Sequence, residues 1–378
     1  MVCYTVKETV PAVTRTPQGS DGSIPSHITT NLFAWQNLNK YQMKKLAILG
    51  LGHIGSYVLT TLMGDTNLKV SGYDLFAGND LSSREVLEEI ISKQDGVLVC
   101  TPFSLNKQIA ELCNKLGVDY FDLTESVEVT DYVKTLNGAR FITQCGLAPG
   151  MVSIIANHLA RQFEEVSDIE IRVGALPENA NNHMGYFKTW STEGLINEYI
   201  HRCPALKNGA MVYLEPLADQ ENVTLNGLQL EAANTSGGIG SLCESYFGRA
   251  DNVNYKTLRY PGHWNIMRFL KDDLGLKKNF NTYVKLFNEN VPQTNKDCVM
   301  ILIQVKGLIN YQESVRQYDK IIKSNENTAI QITTAGGVMA VIDSWAHGNL
   351  DHLHGWISQE NLDYQKVMNS PYAACYKI

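Results

Sequence analysis

The sequence predicts an α/β chain in which a doubly wound parallel sheet is followed by an α+β domain with a mixed or antiparallel sheet. Three observations predict it. Between Lys44 and Gln144, short apolar runs alternate with segments of helical periodicity, the pattern of parallel strands buried on both faces and joined by crossover helices. After Gly146 the pattern changes to stretches in which polar and apolar residues alternate, as in strands with one buried face. The first apolar run ends in a glycine-rich turn that opens directly into an amphipathic segment.

The elements follow in order. Residues 1–42 are rich in Thr, Ser, Pro and Gly without sustained periodicity, so a flexible extension is expected there and the folded unit should begin at Met43. Leu46–Leu49 is a buried strand, and Ile54, Val58, Leu59 and Leu62 recur at helical spacing. Lys69–Asp74 is the second strand. Ser82 with Glu85 suggests a capping box before Val86, Leu87, Ile90 and Ile91. Val97–Cys100 is a third strand, stopped by Pro102, and Ser104–Leu116 a helix. Val118–Leu123, Val127–Leu136 and Arg140–Gln144 repeat strand, helix and strand. Met151–Phe163 reads as an amphipathic helix. Asp168–Val173, Val223–Leu230 and Val253–Leu258 read as strands, and Val299–Lys306 pairs with Ser314–Ile322 across a polar turn. Thr328–Trp345 is a long apolar helix. Its Gly336-Gly337 pair costs about 1 kcal/mol of helix propensity per glycine, which close packing against another element would justify. The expected division is 43–145 for the parallel-sheet domain with a returning helix at about 326–347, 146–325 for the second domain, and 348–378 for a C-terminal tail.

Composition narrows the class of function. The 378 residues carry 32 Lys and Arg against 39 Asp and Glu, a net charge of −7, which argues against a nucleic-acid partner. No apolar run reaches the ~20 residues that cross a bilayer. The start lacks the basic-then-apolar pattern of a secretory signal. None of the eight cysteines forms a C-x-x-C pair, so buried free thiols in a reducing cytoplasmic setting are expected. Asp351-His352-Leu353-His354 has no further ligands at suitable spacing, and no metal site is expected.

The chemistry begins at Gly50-Leu51-Gly52-His53-Ile54-Gly55, a G-x-G-x-x-G between a buried strand and a helix. Gly50 permits the tight turn, Gly52 the close approach of a pyrophosphate, and Gly55 the packing of helix on sheet. The helix start at His53 and Ile54 offers free N–H groups to the phosphates. Asp74 follows Gly55 by 19 residues at the end of the second strand, where an acidic residue binds the ribose hydroxyls of a Rossmann dinucleotide. A carboxylate there repels a 2′-phosphate, so NAD is expected, with NADP the alternative. Thr101 and Pro102 close the next strand at its carboxyl end, beside the nicotinamide half.

Five further motifs share one order: Gly146-Leu147-Ala148-Pro149-Gly150-Met151; Gly174-Ala175-Leu176-Pro177; Gly185 to Gly194, including Trp190-Ser191-Thr192-Glu193; Thr235-Ser236-Gly237-Gly238; and Thr257-Leu258-Arg259-Tyr260-Pro261-Gly262-His263. With the glycine loop, they resemble the saccharopine dehydrogenase (reductase) family from about Met43 to Trp345, closest to its lysine 6-dehydrogenase-like branch. The resemblance implies an oxidoreductase that passes hydride between a nicotinamide cofactor and a C–N bond of an amino acid or amine. It implies substrate contacts at Trp190, Ser236, Thr257, Leu258 and Arg259. The chain departs from the saccharopine reductases at Ala148, where they carry an aspartate, and near Ser236, where they carry an arginine. A small amino acid or amine is therefore expected, ahead of saccharopine or of polyamine chemistry of the carboxynorspermidine or homospermidine type. A non-catalytic nucleotide sensor is the remaining reading. A homodimer is the expected assembly. For the acid–base step, His263 has a suitable intrinsic pKa, and Glu193 could hold an ammonium or act as base. Asp122, Thr124 and Glu125 are weaker candidates at a strand end.

Overall fold

In the computed structural model, which describes residues 43–377, the alternating pattern folds as a six-stranded, all-parallel sheet. The extension read at 1–42 lies outside the described residues. The strands are β1 (Lys44–Leu49), β2 (Leu68–Tyr73), β3 (Gly96–Val99), β4 (Asp119–Asp122) and β5 (Arg140–Ile142), in spatial order β5-β4-β3-β1-β2, with Gly355–Trp356 outside β5. Every residue of β3 and β4 is buried, as strands covered by helices on both faces are. The crossover helices are α1 (His53–Leu62), α2 (Arg84–Ile91), α3 (Asn106–Leu116) and α4 (Val127–Val133). The cap of α2 is Ser83, whose Oγ accepts from the Val86 N–H. Ser82 instead donates to Asp80, so the helix starts one residue later than the expected box.

The second sheet is mixed. Its strands are β6 (Glu165–Pro177), β7 (Cys203–Lys207), β8 (Ala210–Leu214), β9 (Glu221–Leu225), β10 (Leu228–Asn234), β11 (Ala250–Arg259), β12 (Asp297–Ile309) and β13 (Gln312–Lys323). The main path runs β13-β12-β6-β11-β10-β9, with β11 parallel to β6 and the other neighbours antiparallel. The single strand expected over Val223–Leu230 is two strands. Asn226 and Gly227 take φ of 48° and 81°, the doubly positive turn that reverses a hairpin. Asn208-Gly209 does the same between β7 and β8.

The helices of this half are α5 (Met151–Ala160), α6 (Thr192–Ile200), α7 (Leu242–Tyr246), α8 (His263–Arg268) and α9 (Phe280–Asn290), followed by α10 (Ala329–Ala346) and α11 (Tyr364–Asn369). The expected amphipathic face of α5 is absent: its first seven residues are all buried, as in a helix packed on several sides. The α10 helix returns to the parallel sheet. A Cβ on Gly337 would lie 2.4 Å from the Gly146 carbonyl oxygen, and one on Gly336 2.9 Å from the Tyr372 oxygen, the close packing expected of that pair. Residues 348–377 are more than a tail, because Gly355–Trp356 (β14) pairs in parallel with Arg140-Phe141. One apolar cluster runs from Leu46 and Ile48 through Ile155 to Ile171, Ile301 and Val341, so the two sheets share a core and the boundary read at 145/146 is not a break in packing. No helix among the described residues is long and apolar enough to cross a membrane.

Candidate active site

The glycine loop joins β1 to α1. Gly50 has φ of 92°, and a Cβ there would sit 2.8 Å from the Cys100 carbonyl; on Gly55 it would sit 1.9 Å from the Gly50 oxygen. Of the three loop glycines, only Gly52 faces open space. It is the N-cap of α1, which has no side-chain cap, so the first N–H groups of the helix remain available to an anion. Asp74 steadies this loop: its Oδ2 accepts from the Leu51 N–H at 2.8 Å and its Oδ1 from the Phe76 N–H at 3.0 Å. These two donors hold its carboxyl below the ordinary value. His53 stands against the start of α10, with its carbonyl accepting from Gln331 Nε2 at 3.0 Å.

Between this loop and the mixed sheet lies a cavity of about 620 Å³, a size that suits a small ligand or the reactive half of a cofactor. Gly52, His53, Ile54, Gly55, Thr101 and Pro102 line one wall. Gly50 and Asp74 are not part of this lining, and Asp74 shapes the loop through its bonds to Leu51 and Phe76. Thr101 Oγ1 and Asn106 Oδ1 are buried beside the cavity without a hydrogen-bond partner among the described residues, which marks them as groups for a polar ligand.

Trp190, Glu193, Thr257 and Arg259 line the facing wall. The two-residue period of β11 turns Tyr255, Thr257 and Arg259 inward and turns Lys256 and Leu258 away. Lys256 pairs with Glu221, and Leu258 is wholly buried in the apolar cluster around Trp264. The expected substrate contact at Leu258 is thereby corrected. Trp190 packs closely against α6 at Gly194, where a Cβ would fall 2.3 Å from the indole. Ser236 is off the cavity wall and braces α6, its Oγ donating to the Asn197 carbonyl and its N–H to the Glu198 carbonyl.

Arg259 is 1% exposed. Its Nε donates to Tyr199 Oη at 2.9 Å and its Nη1 to the Leu258 carbonyl at 2.9 Å. The guanidinium lies 5.2, 5.8 and 5.9 Å from the ring centres of Tyr186, Tyr199 and Trp264. It has no ion-pair partner among the described residues. A buried cation at a cavity wall that makes no direct ion pair is an arrangement that a bound carboxylate completes.

His263 is also 1% exposed and does not reach the cavity. Its Nδ1 is 2.9 Å from the Met184 carbonyl and its Nε2 3.1 Å from Tyr199 Oη. The carbonyl requires the proton on Nδ1, so Nε2 accepts from the tyrosine hydroxyl, whose oxygen in turn accepts from Arg259. Burial, with the Arg259 charge, lowers the His263 pKa to about 3. The expected base is a neutral imidazole that orients Arg259 through Tyr199. Asp122 is likewise structural: it is wholly buried and accepts from Asn106, Tyr120, Thr124 and Gln144.

Two carboxyls occupy the cavity in its place. Glu125 follows β4 and Glu198 belongs to the last turns of α6; both line the cavity. Burial raises the Glu125 carboxyl to about 7. Burial and then the Glu125 charge push Glu198 well above the ordinary range, with Arg259 acting the other way. Glu193 is exposed on the first turn of α6, at the cavity edge. Glu198 escaped the sequence reading, although a glutamate among Leu195, Ile196, Tyr199 and Ile200 is the available signal. Tyr255 could have been found two residues before Thr257.

A model of the saccharopine dehydrogenase C-terminal domain matches residues 146–374, more than half of the chain. The chain belongs to the saccharopine dehydrogenase family. The mitochondrial alpha-aminoadipic semialdehyde synthase of Mus musculus is 26% identical over 305 residues, covering 71% of this chain and 32% of that protein. Its Bos taurus counterpart is 26% identical over 209 residues, covering 47% and 22%. The chain thus spans about a third or less of these relatives. Among solved structures, apo saccharopine dehydrogenase (L-Glu forming) from Saccharomyces cerevisiae superposes with a TM-score of 0.69 at 14% identity, covering 86% of this chain and 96% of that one. Homospermidine synthase from Legionella pneumophila in complex with NAD gives 0.58 at 15%, covering 89% and 90%. Both likenesses show the fold.

Proposed function

We propose that this member of the family is a nicotinamide-dependent oxidoreductase acting on the C–N bond of a small amino acid or amine with one carboxylate, in the manner of a lysine 6-dehydrogenase. The observation that carries the reading is Arg259, a fully buried cation with no direct ion pair among the described residues, on the wall facing the glycine loop. The uncapped start of α1 suits the pyrophosphate, Asp74 the ribose hydroxyls, and Thr101-Pro102 the nicotinamide half. Asp74 favours NAD over NADP. When bound, the nicotinamide supplies a hydride acceptor or donor.

The rest falls to this chain's side chains. Arg259 holds the substrate carboxylate, positioned through Tyr199 and His263. Trp190 and Thr257 border the substrate, and Glu193 stands at the cavity edge. A substrate with a second or third carboxylate would meet Glu125 and Glu198 where it needs a cation, a mismatch worth several kcal/mol if buried. That disfavours saccharopine. The same two glutamates support a second reading, polyamine chemistry, in which a diamine needs no partner at Arg259.

The test is steady-state reduction of NAD and NADP with L-lysine, L-ornithine, 1,5-diaminopentane and saccharopine. The reading expects turnover with an amine bearing one carboxylate and preference for NAD. Turnover confined to 1,5-diaminopentane selects the polyamine reading.

A further inference from the structure

Glu125 and Glu198 reach the cavity from opposite sides of the polypeptide's organisation, one from the carboxyl end of a parallel strand and one from α6 on the mixed-sheet side. The Thr235–Gly238 turn joins them. The Ser236 N–H donates to the Glu198 carbonyl, and a Cβ on Gly237 would stand 3.4 Å from Glu125 Oε2. Glu198 is only 9% exposed, yet neither carboxylate has a hydrogen-bond or ion-pair partner among the described residues. A side chain nine-tenths buried, without a partner and facing a cavity, costs stability unless a ligand answers it.

The charged and titratable groups around the pair are Arg259, Tyr255, Tyr186, Tyr199 and Cys203. Burial raises the tyrosines and the thiol, leaving them neutral, so Arg259 is the fixed charge nearby. One cation between two carboxyls leaves a surplus acid. Two neighbouring carboxylates in a low-dielectric site share a proton rather than ionise together.

We propose that Glu125 and Glu198 are the receptor and proton acceptor for the reacting amine. The proposal rests on the oxidoreductase reading and assigns the amine its place. A substrate ammonium binds the singly ionised pair and gives one N–H proton to the free carboxylate. Nitrogen keeps the electron pair of that bond. With the nitrogen lone pair free, the adjacent C–H can leave as hydride to the nicotinamide, the two-electron acceptor, and the carbon–nitrogen double bond forms. Water then adds to that carbon, and the nitrogen leaves as ammonium, carrying away the proton that the water releases. The substrate class is an amine that is cationic in water.

The experiment follows the glutamate side-chain carboxyls by ¹³C NMR during a pH titration of the cofactor-free protein, so it does not depend on nicotinamide binding or turnover. Wild type should show a glutamate step near pH 7, and Glu125→Gln should move the Glu198 step down by roughly one unit or more as the neighbouring charge is lost. The titration is repeated with L-lysine, with 1,5-diaminopentane and with hexanoate, which has the chain but no amine. The two amines should shift the step near 7 downward by roughly a unit at saturation, and hexanoate should not. Ordinary glutamate titration in wild type overturns the proposal even if the variant fails to fold. So does a step that ignores both amines, or one that moves equally with hexanoate. Failure of the cofactor reading alone would appear instead as an amine-shifted step in a protein that does not bind NADH.

Discussion

Replacing Arg259 by methionine should separate the stability of the fold from the affinity of the site. Arg259 makes two hydrogen bonds, to Tyr199 Oη and the Leu258 carbonyl, and stacks among three aromatic rings. No carboxylate among the described residues is in ion-pair contact with it, and Glu198 offsets its desolvation only through space. An apolar side chain of similar reach retains the packing and removes an unneutralised buried charge, a change that is often neutral or stabilising by about 1–4 kcal/mol. Tyr199 keeps its bond to His263. The ligand-free Tm of Arg259→Met should therefore equal or exceed that of wild type. Binding should change in the opposite sense, because a buried substrate carboxylate left without its cation loses about 2–5 kcal/mol, roughly 30- to 4,000-fold in affinity. Calorimetric unfolding of the ligand-free protein reads the first effect, and kcat/KM for the amino-acid substrate reads the second. A variant that unfolds would refute the reasoning by making Arg259 a structural residue. Unchanged kinetics would place the substrate carboxylate elsewhere.

Asp74→Ala should narrow the preference for NAD over NADP, measured as the ratio of their dissociation constants; equal affinities in the unmutated protein would remove the basis for assigning Asp74 to the ribose. Gly337→Ala should lower Tm through a loss of about 1–3 kcal/mol, since its Cβ would meet the Gly146 backbone at 2.4 Å; an unchanged Tm would mean that α10 can shift. His263 titrates near 3 when folded against 6.5 as a free group, so between those values the unfolded chain binds the extra proton. Stability should thus fall as pH drops below about 6.5, by up to about 1.4 kcal/mol per unit. His263→Gln should flatten that slope in urea unfolding, and an unaltered slope would contradict a buried neutral imidazole.

The parts of this molecule legible in its sequence are those where local pattern and tertiary role coincide. The parallel strands read cleanly because burial on both faces leaves apolar runs such as Leu46–Leu49. The glycine loop read cleanly because its glycines sit at a fixed spacing between a strand and a helix, whatever their Cβ atoms would meet. The Gly336-Gly337 reading succeeded because two glycines inside an apolar helix are themselves the signal of a close approach, here to Gly146 and Tyr372. The hairpin at Asn226-Gly227 was equally local, and its dipeptide was the signal to use. Residues 348–377 were not legible as part of the sheet, since a two-residue strand carries almost no periodicity. The site divided along similar lines. Thr257 and Arg259 reach the cavity, but a motif cannot say which of three consecutive strand residues turns inward, and Leu258 points the other way. His263 has a suitable pKa in water; only its position behind Tyr199 shows that burial removes it from titration. Glu198 becomes meaningful only when β4 and α6 bring it to the cavity that Glu125 also lines.

The most direct test of the account is a side-by-side measurement of kcat/KM for L-lysine and saccharopine with NAD, following the absorbance of reduced nicotinamide. One buried cation and two carboxyls, Glu198 buried and Glu125 half-buried, line this cavity, so the account predicts turnover of lysine and little or none of saccharopine. Efficient saccharopine turnover with lysine inert would contradict it.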